Sequence, residues 1–159
     1  MPLPPLPWYI VVLTSAPQTF LMLKIGFQLF NLHLSYANAL ALSLIVCIFA
    51  VFVWKLPIPF GAHTIILLVF ATFLTTVVTG TKLLHCFIAI LAGLLILGGL
   101  EVLVFQLALK MAGTTAVSLT LNPWLNVLYF LPVAAIMVFF YLAANKRNFI
   151  ILDLSLDRD

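Results

Sequence analysis

Five uninterrupted apolar stretches, each close to the length a helix needs to cross a bilayer, occupy most of this 159-residue chain. An α-helix rises 1.5 Å per residue, so roughly 20 residues cross a hydrocarbon core of about 30 Å. The windows are Trp8 to Phe30, Tyr36 to Trp54, Phe60 to Thr79, Leu83 to Gln106 and Trp124 to Ala144. Their runs are continuous, without the alternation of lipid-facing and lumen-facing residues that marks a barrel strand. With 65% hydrophobic and 7% charged residues and a mean hydropathy of +1.30, the composition excludes an ordinary soluble domain. The expected fold is all-α, a polytopic integral membrane bundle of five helices in a single domain, with the lipid bilayer as its main partner. The few cations are spread along the chain, which sets nucleic-acid binding aside.

Local signals place the boundaries. Trp54 and Lys55 read as an interfacial aromatic and a snorkelling cation, and Leu56-Pro57-Ile58-Pro59 as a stiff turn that stops span two. Asn122 reads as an N-cap, Pro123 as the first helical residue and Trp124 as an interface anchor for span five. The connection Leu107 to Leu121 is the one long link, expected as a surface loop or short interfacial helix. Lys82, Lys146, Arg147 and Arg158 fall on the face of the C-terminus, against Lys55 and Lys110 on the other, which predicts an N-out, C-in topology. The Pro-rich N-terminus has no basic n-region and is expected to be retained, while residues 145–159 form a short cytoplasmic tail. Cys47 and Cys86 lie roughly 12 Å apart in depth at 1.5 Å per residue, which predicts two buried thiols and no disulfide.

Polar groups inside a span are costly unless they face a partner or a cavity, so they mark candidate function. Thr14, Ser15 and Gln18 fall in the outer half of span one beside Pro17, His63 and Thr64 enter span three at the same depth, and Glu101 and Gln106 end span four there. With Asn122, Trp124 and Asn126 they predict an outward-facing pocket, and Gln18, His63, Glu101, Asn122 and Trp124 are the candidate ligand-binding residues. Headgroup placement and helix-to-helix bonding are the bland alternatives for the same residues. Lys24 is expected to snorkel or to pair with Gln28 or His85, and His33 and His85 to be interfacial. Ala89 and Gly93 form a small-xxx-small pair suited to internal packing or a homodimer seam, and Gly98-Gly99 permit close approach or a kink. No zinc-ligand spacing, phosphate loop or nucleophile elbow occurs, so no catalysis, metal or cofactor is expected.

Several segments in order, Pro17-Gln18, Leu56 to Thr64, Gly99-Leu100-Glu101, Asn122-Pro123-Trp124 and Ile151 to Leu154, resemble the N-terminal membrane sensor domain of Firmicute accessory gene regulator-like sensor histidine kinases. The resemblance spans nearly the whole chain. It implies a bacterial cytoplasmic membrane and a membrane domain that receives a signal, often a small peptide, and passes it to a cytoplasmic dimeric kinase. No phospho-acceptor or ATP-binding region is read in these residues, so the expected role is reception rather than phosphoryl transfer. The expected function is a membrane sensory or ligand-binding module detecting an extracellular small molecule or peptide, acting as a homodimer or through a cytoplasmic signalling partner. The alternatives are a substrate-binding or accessory subunit of a small-molecule transporter, with Ala37 and Ala41 as a docking face, or a structural membrane subunit.

Overall fold

The computed structural model describes residues 8–57, 59, 61–112 and 123–155. Helices α1 (Trp8–Leu29), α2 (Tyr36–Val53), α3 (Ala62–Thr79), α4 (Leu83–Ala112) and α5 (Pro123–Lys146) make up the fold, and among the described residues there is no strand. All five are long and apolar enough to cross a membrane, so the chain is a multi-pass helical bundle. They leave two faces: one carries the start of α1 and the α2–α3 turn, the other the α1–α2 loop, the α3–α4 loop and the tail after α5.

Helix starts and stops follow local chemistry. Ser35 caps α2 by accepting the Asn38 N–H at 3.1 Å. Gly80, at φ +68°, turns the chain out of α3 in a left-handed conformation that leaves its N–H on the Thr76 carbonyl. Helices α1 and α5 end alike, with Asn31 at φ +54° and Asn148 at φ +46°. The following N–H then returns to a carbonyl of the last turn, Leu32 to Phe27 and Phe149 to Ala144, both at 2.9 Å. The long connection begins later than its expected start at Leu107, because Leu107 to Ala112 are all good helix formers and continue α4 for six more residues. Residues 113–122 lie outside the described part. Pro17 and Pro132 both sit inside helices that continue past them.

The least apolar span is the most buried. Helix α1, with mean hydropathy 1.5 against 2.0 to 2.6 for the others, has 44% of its apolar window buried, against 17% in α3 and in α5. Its Thr14, Ser15, Gln18, Lys24 and Gln28 are the cause, since a helix carrying them is cheapest where neighbours rather than acyl chains surround it. Accordingly α1 packs on α2, α4 and α5, whereas α3 packs on α2 and α4. Exposed Val69, Phe73 and Val77 of α3 and Leu128, Phe139 and Leu142 of α5 face outward as a lipid surface would require.

The half of the bundle near the C-terminal face is solid. Leu23, Ile25, Phe27 and Leu29 of α1 are all at most 1% exposed. There α1 crosses α4 backbone to backbone: a Cβ added at Gly26 would run into the Ala89 carbonyl, and one at Gly93 into the Met22 carbonyl. The Ala89 and Gly93 pair therefore serves internal packing, and its contact is with α1 rather than a second copy. Cys47 and Cys86 are both buried free thiols, as their depths required. The tail closes this face, with the Ile151 and Leu154 N–H groups donating to the Leu29 and Phe30 carbonyls at 2.8 and 3.1 Å, where the end of α1 leaves them open.

Candidate ligand-binding site

Because α3 is held by α2 and α4 and not by α1, the other half of the bundle leaves a half-open cavity of about 800 Å³ to which all five helices contribute. That volume falls in the range of small-molecule sites. Its floor is the start of the solid half, at Met22, Ala71 and Ile90, and its walls are mostly apolar. Polar groups gather toward the other end: Thr14, Ser15, Gln18 and Thr19 from α1, His63 and Thr64 from α3, Glu101 from α4 and Tyr129 from α5.

One interaction organises this end. The Gln18 side-chain amide donates to the Glu101 Oε1, tying α1 to α4 in the cavity wall. Glu101 is the chain's single glutamate, and among the described residues no lysine or arginine lines the cavity. The Gln18 bond supplies it with a donor without neutralising a charge, and the amide and carboxyl remain a donor and acceptor pair that an incoming polar group can enter. Thr14 turns its hydroxyl back to the Ile10 carbonyl at 2.9 Å, so it contributes a methyl-faced wall more than a free donor. The Phe105 ring lies edge-on to Tyr129, with centroids 6.4 Å apart, and closes the α4–α5 side. Gly98 faces the cavity with nothing within 4 Å of the position a Cβ would take, so its missing side chain is part of the open volume.

The structure brings three of the five expected site residues, Gln18, His63 and Glu101, into one cavity. Trp124 is a correction: it is 63% exposed, outside the cavity wall, with its ring 6.4 Å from that of Tyr9. The residues of α5 that line the cavity are Tyr129, Phe130 and Val133, and five residues at 100° each carry Trp124 about 140° away from Tyr129 around the helix. Trp8, Tyr9 and Trp124 instead form an aromatic cluster at the rim, as interfacial aromatics do. Asn122 and the side chain of Asn126 lie outside the described residues.

Two further expectations are corrected at the opposite face. Of the two readings of Lys24, the pairing with Gln28 or His85 is the one corrected: its ammonium reaches along the helix to the α1–α2 loop, donating to the Leu34 carbonyl at 2.8 Å and lying 3.9 Å from the centre of the Tyr36 ring. His85 is buried among the helices at 5% exposure, while His33 is exposed. Sequence reading missed Tyr129, Cys47 and Gly98 as wall residues. The signal for Tyr129 was its spacing of four from Val133 on one helical face. Among the described residues no three His, Cys, Asp or Glu side chains come together as a metal site. No protein-family model, curated protein or solved structure matches the chain.

Proposed function

We propose that this chain is a membrane ligand-binding module of a signalling system, and that the cavity between α1 and α3 receives a small, mainly apolar molecule or the apolar part of a short peptide. The observation that carries this reading is the Gln18 to Glu101 bond at the polar end of an otherwise apolar cavity of ligand size. A ligand whose polar end enters between these two side chains replaces a link between α1 and α4. The close crossing starts at the cavity floor, where Gly93 meets Met22, and continues into the solid half, where Gly26 meets Ala89, and it acts as the pivot. Helices α4 and α5 then shift about it, and the tail that follows α5, hooked onto the end of α1, carries the change to the other face. In this reading the face bearing Trp8 and Trp124 is the outer one, in agreement with the lysine and arginine bias and with the resemblance to receptor domains of sensor kinases.

The test uses a matched panel of octylamine, octanol and octanoate added to the detergent-solubilised full chain, with thermal stabilisation as readout. The Gly98→Leu variant fills the cavity from a position with free space, so it folds and reports on occupancy alone. Stabilisation by one or more members in the wild type, lost in Gly98→Leu and altered in rank by Glu101→Gln, is the expected outcome. Equal responses of wild type and Gly98→Leu contradict the reading, as does no response to any member.

A further inference from the structure

A second binding feature lies on the far side of α1, independent of the cavity. Phe20 is about 200° around the helix from Gln18, and Lys24 about 120°, at 100° per residue. There an outward-facing apolar groove runs over Ala16, Pro17 and Phe20 of α1 and Tyr36, Ala37 and Leu40 of α2. It ends at a polar cluster near the C-terminal face. The Lys24 ammonium lies over the Tyr36 ring at 3.9 Å and 5.7 Å from the centre of the Tyr141 ring, and the two tyrosine hydroxyls meet at 2.8 Å, joining α2 to α5.

The donors in this cluster outnumber its acceptors. Lys24 has three N–H bonds, of which the Leu34 carbonyl takes one and the Tyr36 face attracts another. Of the two hydroxyls, one donates to the other and the acceptor's own O–H stays available. Among the described residues no carboxylate forms an ion pair with Lys24, although it sits inside a membrane-spanning helix. A lysine this near the end of its span reaches the headgroup level, where anionic lipids attract a cation. Tyr36 is 61% exposed, so the cluster is reached from outside the bundle.

We propose that this is a binding site for an anionic phospholipid, with the headgroup phosphate on Lys24 and the free tyrosine hydroxyl and one acyl chain along the groove beside Pro17. The groove is apolar and lipid-facing, its charged end is at the level where headgroups lie, and among the described residues the cation has a carbonyl and a ring as partners but no carboxylate. These three features fit one molecule that is an anion at one end and a hydrocarbon at the other. A free phosphate would use only the cluster, and a neutral lipid only the groove.

Native mass spectrometry of the full chain in detergent distinguishes these sources. The probes are dioleoylphosphatidylglycerol, dioleoylphosphatidylcholine with the same acyl chains, and glycerol 3-phosphate. The expected preference for the glycerol lipid over the choline lipid is about fivefold, the factor for one lysine near an anionic headgroup. Lys24→Gln removes the preference, and Ala37→Leu, at an exposed position that fills the groove, weakens both lipids. Tyr141→Phe lowers the preference while keeping the ring, and decides the matter if Lys24→Gln fails to fold. Equal affinity for the two lipids in the wild type overturns the proposal, as does a preference that survives both Lys24→Gln and Tyr141→Phe. Glycerol 3-phosphate binding as tightly as the whole lipid likewise overturns it.

Discussion

The two halves of this bundle are built from the same five helices and the same apolar alphabet, yet one is solid and the other hollow. Toward the C-terminal face, glycines at 26 and 93 let α1 and α4 touch along their backbones, and Leu23, Phe27 and Leu29 fill what remains. Toward the N-terminal face the same two helices are joined through side chains, Gln18 to Glu101, and the volume between α1 and α3 is left open. What differs is where glycine falls relative to a neighbour. Gly26 and Gly93 face backbone, whereas Gly98 and Gly99 face nothing within 4 Å. A glycine against backbone brings helices together, and a glycine without a neighbour leaves space.

The glycines offer the sharpest way to break the comparison. Gly26→Val or Gly93→Leu drives a side chain into a carbonyl of the facing helix and is expected to cost on the order of 3 kcal/mol, since the crossing can relieve the clash only by moving apart. Reversible unfolding of the full chain in mixed micelles measures this. Gly99→Ala, by contrast, adds its methyl to open space and stabilises by about 0.5 to 1 kcal/mol through helix propensity. Similar costs at Gly26 and Gly99 would remove the distinction between the halves.

The polar end of the hollow half comes next in size. Gln18→Leu leaves the Glu101 carboxyl without its donor and is expected to cost about 2 kcal/mol, the usual penalty for an orphaned partly buried group. Adding Glu101→Leu recovers part of that loss, because replacing both partners by apolar groups is cheaper than removing one. Strictly additive costs in this cycle would mean that the two side chains do not act together.

The smallest effect concerns the tail that closes the solid half. Asp153 lies outside the spans, and its carboxyl is held below the ordinary carboxylate range, first by the Ser155 hydroxyl, then by the Asn31 amide and the Ser155 N–H. A folded value below the unfolded one makes the docked tail favoured above the ordinary carboxylate pKa and loosened as pH falls through the folded value. Protection of the Ile151 and Leu154 amides from hydrogen exchange, taken relative to the intrinsic rate at each pH, is expected to fall over that acidic window, and Asp153→Asn to lower it at neutral pH. Protection that is insensitive to both would place the clasp in the backbone bonds alone.

The spans were legible because hydropathy over some twenty residues outweighs every local signal, and span four ends within one residue of its expected place although its helix runs on to Ala112. The meeting of Gln18, His63 and Glu101 was legible from depth alone, since an odd number of passes assigns each residue a level without any knowledge of packing. Rotation about the helix axis was not legible in the same way, which is why Trp124 came out at the rim while Tyr129 faces the cavity. The Gly26 contact was hidden because a small residue declares its role only through what faces it, and nothing local to α1 names α4 as its neighbour. Lys24 followed the same rule: its partners, the Leu34 carbonyl and the Tyr36 ring, are set by the turn into α2.

The most direct test of the division uses the two native thiols, both buried, of which Cys47 lines the cavity and Cys86 sits in the solid half beside Thr79. A small neutral thiol reagent such as methyl methanethiosulfonate, added to the full chain in mild detergent and followed by peptide mass spectrometry, should modify Cys47 several-fold faster than Cys86. The Gly98→Leu variant should narrow that gap. Equal rates in the wild type, or faster modification of Cys86, would contradict a bundle that is open in one half and closed in the other.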